Sequence, residues 1–233
     1  MAIYLHELVN VVPGRAEDYL DSMAEHHGSQ RKARGERGDS MLGLFTVLEA
    51  TGTWPLAVNV WQNVTWQRQA EMLQSQFEPR AQNPELKKWW LGNLNLRTGG
   101  FDRIVDSTPY SPDVEGHRAR GTAGKLFLHQ IVRVAPGRVA DYLDAFGADG
   151  VAAAESAGAQ LVGAYRVCMY DHEAIVILAF REPSDFARYQ REWHAAAPGG
   201  ALARWRAHED AWVRGKDSLV LKPRWFLRSP WHP

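Results

Sequence analysis

The chain has 233 residues, 45% of them hydrophobic and 23% charged, with 27 basic side chains balanced by 27 acidic ones. That composition fits one large globular domain or two small ones, and the balanced charge excludes a general pull towards nucleic acid or an anionic membrane surface. A single cysteine, Cys168, excludes an intrachain disulfide. The N-terminus lacks the basic-then-apolar pattern of a secretion signal, so a cytoplasmic location is expected. The longest strongly apolar run, residues 174–180, is far too short to span a bilayer.

In chain order, residues 3–12 are rich in β-branched and apolar types and read as a strand. Pro13-Gly14 then presets a turn, and a helix follows in which Tyr19, Leu20 and Met23 share a face. That helix is expected to fray near Gly35. Strands are predicted at residues 41–48 and 56–61. Helices are predicted from Thr65, a suitable N-cap, and over 84–90, before a strand within 93–105.

The whole series then repeats. Residues 126–146 lie on residues 3–23 at a shift of 123 positions without a gap, and eleven of the twenty-one positions are identical. The shared residues include His6/His129, the Pro-Gly-Arg turn and Asp-Tyr-Leu-Asp. A period near 120 residues makes each copy a small domain rather than a solenoid unit. The second copy predicts strands at 126–135, 160–169, 174–180 and 218–221. Its helices are predicted after Pro136-Gly137, from an N-cap at Ser184, and over 201–213. Gly147 and Gly150 weaken its first helix.

Each copy thus reads strand–helix–strand–strand–helix–strand, the ferredoxin-like βαββαβ order of an α+β protein. Residues 1–113 form the first repeat, 114–124 a polar linker and 125–233 the second repeat. One face of each sheet takes the helices and the other must also be buried, which two copies achieve by forming one pseudo-twofold barrel.

These segments resemble the NIPSNAP family of the dimeric α+β barrel superfamily. The resemblance rests on the opening strand with its Pro-Gly turn and Tyr-Leu helix, on Val162-Gly163 with an aromatic shortly after, and on Thr108-Pro109-Tyr110-Ser111-Pro112. The family carries a Glu and an Arg in its first strand, where this chain has Leu5 and Leu128, and Glu7 and Gln130. The superfamily implies a buried pocket between sheets and includes cofactor-independent oxygenases, polyketide cyclases, lactone isomerases and haem enzymes.

Strand alternation separates Ile3, Leu5, Val9 and Val11, a row broken by Glu7, from Tyr4, His6 and Leu8. The aliphatic row should meet the helices, which turns His6 and His129 into the barrel. An imidazole there suits acid–base work, or else simply packs. Arg166, where the first copy has Thr46, is a candidate to steer a carbonyl or carboxylate, with a salt bridge as the alternative. Tyr4, Trp61, Phe127 and Tyr165 are candidate substrate-lining rings, with core packing as the alternative.

No metal-ligand spacing, phosphate loop or Gly-x-Ser-x-Gly element appears, and Gly-Gly at 99–100 lacks a phosphate-loop context. The expectation is therefore a small-molecule enzyme without a tightly bound organic cofactor or a metal. It would act on a hydrophobic aromatic or polyketide-like substrate as an oxygenase, isomerase or lyase. A non-catalytic binding or interaction protein and a metal- or haem-dependent enzyme are the alternatives, and pairing of two copies into a homodimer is left open.

Overall fold

A computed structural model describes residues 2–36, 40–48, 52–63, 65–74, 77, 84–195 and 199–227. The first repeat comprises β1 (Ile3–Val11), α1 (Ala16–Glu36), β2 (Ser40–Val47), β3 (Leu56–Gln62), α2 (Trp66–Gln74), α3 (Pro84–Leu94) and β4 (Arg97–Ser107). A short helix α4 (Val114–Arg120) follows. The second repeat comprises β5 (Leu126–Val134), α5 (Val139–Ala145), α6 (Val151–Ser156), β6 (Gln160–Val167), β7 (Glu173–Phe180), α7 (Pro183–Trp193), α8 (Ala201–Glu209) and β8 (Val213–Phe226). The strands follow the order β1-β3-β2-β8-β5-β7-β6-β4 and close into a barrel. Read from β4 through β1 and β3 to β2, and from β8 through β5 and β7 to β6, the ferredoxin-like order occurs twice.

The chain divides into two compact units. One takes its described residues from Met1–Ile104 and Arg224–Pro233, the other from Val105–Pro223. Two strands change units along their length. The end of β4 pairs with β6, Asp106 opposite Arg166, whereas the end of β8 belongs to the first unit, where Leu227 N–H donates to the Leu42 carbonyl.

Within the first unit, β3 lies between β1 and β2 and is buried along its whole length. Val9, Val11 and Ala57 pack on Tyr19, Leu20 and Met23 of α1, with Leu5 against the same cluster. In the second unit β7 is the buried middle strand, and Leu128, Val132 and Val134 pack on Tyr142 and Leu143. The aliphatic rows therefore do meet the helices. Gly14 and Gly137 hold the predicted turns at φ 78° and 74°.

Several local expectations shift. Thr65 caps α2 through its hydroxyl, which accepts from Arg68 N–H at 3.1 Å. The cap of α7 is Glu182, not Ser184, because a box with Asp185 satisfies both ends of the first turn. The helix weakened by Gly147 and Gly150 carries a π turn over Phe146–Gly150. The Cβ of an alanine at 147 would fall 2.4 Å from the Tyr110 ring. The last strand runs from Val213 to Phe226, much longer than the predicted 218–221.

The polar segment read as a linker contains α4. Asp113 caps it, and His117 is fully buried beneath β6. Its Nε2 lies 2.8 Å from the Val162 carbonyl and therefore donates, which leaves Nδ1 to accept from Thr122 at 3.2 Å. No helix among the described residues is long and apolar enough to cross a membrane.

Candidate functional site

The two histidines occupy the same register in their units. His6 stands opposite Val60 on β3, and His129 opposite Ile177 on β7 and Leu219 on β8. Both are fully buried on the rows that face away from the helices. Tyr4 shares the His6 row and its hydroxyl donates to Gln62 Oε1 at 3.0 Å. Phe127 and Tyr165 share the His129 face, with Tyr165 opposite Ile175.

Two sequence candidates lie on the other side of their sheets. Trp61 pairs with Leu5 on the helix-facing row of the first unit. Arg166 occupies the helix-facing row of β6, where it forms a forked ion pair with Asp106 across β4 and β6, its side chain more than half exposed. The Asp106 carboxylate raises its pKa further by hydrogen bonding. The first-unit candidates Tyr4 and His6 thus come together, as do Phe127, His129 and Tyr165 in the second; Trp61 and Arg166 join neither set.

The helix-facing side of the first unit holds a polar cluster instead. Glu7, the residue that breaks the aliphatic row, stands opposite Asn59. Glu7 Oε2 accepts from Asn59 Nδ2 at 3.0 Å and from Trp61 Nε1 at 2.7 Å. The second Asn59 hydrogen goes to the Tyr19 hydroxyl oxygen at 2.7 Å, so the Tyr19 O–H hydrogen points elsewhere. Asn59 and Tyr19 are wholly buried. Glu7 is crowded by protein yet keeps a partly accessible face.

Burial raises the Glu7 carboxyl above its usual range. The bonds from Asn59 and Trp61 oppose that rise, Asp102 adds to it and Arg97 opposes it. Burial likewise raises the Tyr19 phenol, with Glu7 adding to the effect. A carboxyl shifted in this direction holds its proton more readily than an exposed one, the direction that favours general acid–base work.

Arg97 completes the group. Its guanidinium carbon lies 4.0 Å from the centre of the Trp90 ring on α3. Its Nε and Nη2 are buried and find no hydrogen-bond partner among the described residues, and the same holds for Asn59 Oδ1. Arg97 and Asp102 reach this position because β4 runs hard against β1. A Cβ at Gly100 would meet the Leu8 carbonyl oxygen at 2.5 Å, so the Gly-Gly at 99–100 serves strand approach rather than phosphate binding.

The sequence signal for this cluster was the single acidic residue in an aliphatic row. Its contacts could not be read, because they depend on the register of β1 with β3. Among the described residues no group of three His, Cys, Asp or Glu side chains is placed to hold a metal ion.

The fold recurs in solved structures. A monooxygenase-like protein from Lactobacillus acidophilus NCFM is 11% identical, covering 98% of this chain and 96% of that chain at a TM-score of 0.64. An anthrone oxidase-like protein is 10% identical, covering 95% and 91% at a TM-score of 0.61. An uncharacterized NIPSNAP domain protein from Burkholderia xenovorans is 20% identical over 46% of this chain and 98% of that chain, at a TM-score of 0.37. The class is therefore an α+β fold with an eight-stranded closed barrel, shared with these monooxygenase-like and anthrone oxidase-like structures. No family model and no curated protein matches the sequence, so the NIPSNAP resemblance rests on its short motifs.

Proposed function

We propose that the protein is a small-molecule enzyme in which Glu7 gives and takes a proton at a hydrophobic, aromatic or polyketide-like substrate. The observation that carries this reading is a partly accessible carboxyl whose pKa burial raises, set among the wholly buried Asn59 and Tyr19 and beside Arg97. A group of this kind in an incompletely satisfied polar cluster is a functional-site signature rather than a packing solution. The monooxygenase-like and anthrone oxidase-like neighbours share only the fold, and their names make oxygenase chemistry the first to test.

Anthrone with dissolved oxygen is the first substrate to try. Glu7→Gln keeps the shape and removes the titrating proton, so turnover should fall about a hundredfold or more. Unchanged oxygen uptake in Glu7→Gln, beside an active wild type, overturns the reading.

A second reading places the proton on His6 or His129 and is favoured by their recurrence at one register on the rows opposite the helices. His6→Ala and His129→Ala, singly and together, separate the two. Loss of turnover in these variants with Glu7→Gln intact selects the histidines.

A further inference from the structure

We propose that the Glu7 cluster binds the ionised oxygen of an aromatic enol or phenol, with Arg97 as counter-ion, the Tyr19 hydroxyl as a donor and the Asn59 carbonyl accepting a neighbouring hydroxyl of the same ligand. This rests on the reading of the cluster as the reactive site and adds the class of molecule it takes.

The hydrogen-bond accounting leads there. Glu7 Oε2 is occupied by Asn59 and Trp61, and both Asn59 amide hydrogens are used within the cluster. What is left over is specific: two guanidinium nitrogens and one amide oxygen, all buried. A buried donor or acceptor without a partner is costly, more so when charged, so a ligand that supplies two acceptor directions and one donor gains what the protein leaves unmade.

The guanidinium carbon sits over the Trp90 ring, which shields that side of the group from water. Charge favours an anion. Glu7 and Asp102 both couple to Arg97, yet neither accepts a hydrogen bond from its buried Nε or Nη2, so those two donors are open to an anion.

The fold does not require the cluster. At the matching register of the second unit, Gln130 stands opposite Val176 and Leu128 opposite Leu178, so the positions of Asn59 and Trp61 are aliphatic there. Gln130 finds its own partner in Ser218 at 3.1 Å. The duplicated frame thus provides an internal control in which the same site is closed.

The probe is 4-nitrocatechol, whose visible spectrum separates the phenolate from the phenol and whose second hydroxyl can donate to Asn59 Oδ1. Titrated with the full chain near its own pKa, it should gain phenolate absorbance on binding. Arg97→Met should weaken binding about tenfold to a hundredfold and abolish that gain, the range expected for losing a charge-assisted contact. Glu7→Gln keeps an acceptor for Asn59 and Trp61 and removes the carboxyl's charge beside Arg97, so it should bind the anionic probe at least as tightly as wild type.

Asn59→Val places the second unit's residue in the first. It provides a folded comparison if Arg97→Met unfolds, and it too should bind the probe more weakly. No binding by the wild type, binding as the neutral phenol, or equal binding by folded Arg97→Met or Asn59→Val overturns the inference. Probe binding with turnover unaffected in Glu7→Gln rejects only the catalytic reading. Loss of turnover in Glu7→Gln without probe binding rejects only this inference.

Discussion

The two units solve one problem in opposite ways. Each buries charged or polar groups between its sheet and its helices. In the second unit Glu209 receives Lys216 Nζ on both oxygens, at 2.6 and 2.7 Å, and the same ammonium lies 4.5 Å from the centre of the Trp193 ring. Tyr142, Phe146 and Trp205 pack ring against ring nearby. In the first unit Glu7 is bonded, but Arg97 and Asn59 keep buried polar atoms unanswered. Both sites shift the pKa of a buried carboxyl upward, so the shift alone does not distinguish them. Completeness of hydrogen bonding does: a closed pair reads as structure and an open cluster as a site.

The sharpest way to break this contrast is to open the closed pair. Burial pulls Glu209 and Lys216 each towards the neutral form while each holds the other charged. Lys216→Met leaves Glu209 buried without its donor and should cost about 3–5 kcal/mol, read by chemical denaturation. Glu209→Gln with Lys216→Met together should recover most of that loss. A single variant as stable as wild type would show that the second unit's pair is no more settled than the first unit's cluster.

His117 extends the comparison to pH. Burial depresses its pKa to about 4 from the ordinary 6.5, against the pull of the Val162 carbonyl. The folded chain holds the ring neutral, whereas the unfolded chain takes up a proton near 6.5. Its contribution is therefore complete above about 6.5 and is lost as the pH falls towards about 4, about 3 kcal/mol in all. Stability measured across that range should fall in wild type and fall less in His117→Gln. Equal slopes would remove His117 from the set of satisfied buried groups in the second unit.

A smaller effect tests the tie that the Thr-Pro-Tyr-Ser-Pro segment makes. The Tyr110 hydroxyl donates to the Leu143 carbonyl at 2.7 Å, just before the π turn, and burial raises its pKa to about 12. Tyr110→Phe should cost about 1 kcal/mol by denaturation, since it removes the hydroxyl and leaves the ring packed beside Gly147.

Much of the frame was legible in the sequence because the repeat exposes it twice. The eleven shared positions concentrate at the first strand, the turn and the following helix, where backbone and core demand the same residues in both copies. Alternation alone assigned His6 and His129 to the rows away from the helices. It did not decide Trp61, because the parity of a β3 residue acquires meaning only through its pairing with Leu5, 56 positions earlier. Arg166 was open between a ligand's carboxylate and a salt bridge, and the carboxylate it pairs with is Asp106, 60 residues away across β4 and β6. The contacts of Glu7 are equally remote, at 52 residues to Asn59 and 54 to Trp61. Side-chain chemistry was readable locally, and its partners were not.

The smallest expected effect is the most discriminating, because it makes one chemical change in both units. Glu7→Gln and Glu209→Gln each replace a buried carboxyl by its amide. Glu209 faces an ammonium on both oxygens, so its amide weakens two contacts and turns an N–H₂ group towards Lys216, which should cost about 2 kcal/mol or more. Glu7 accepts both its bonds on one oxygen, and an amide presents the same carbonyl to Asn59 and Trp61 while its N–H₂ takes the place of the other oxygen. That substitution should change stability by less than about 1 kcal/mol. If Glu7→Gln instead costs as much as Glu209→Gln, Glu7 is ionised in the folded chain and bound to a cation. Arg97 would then be its counter-ion rather than a ligand's, and the first unit would be as closed as the second.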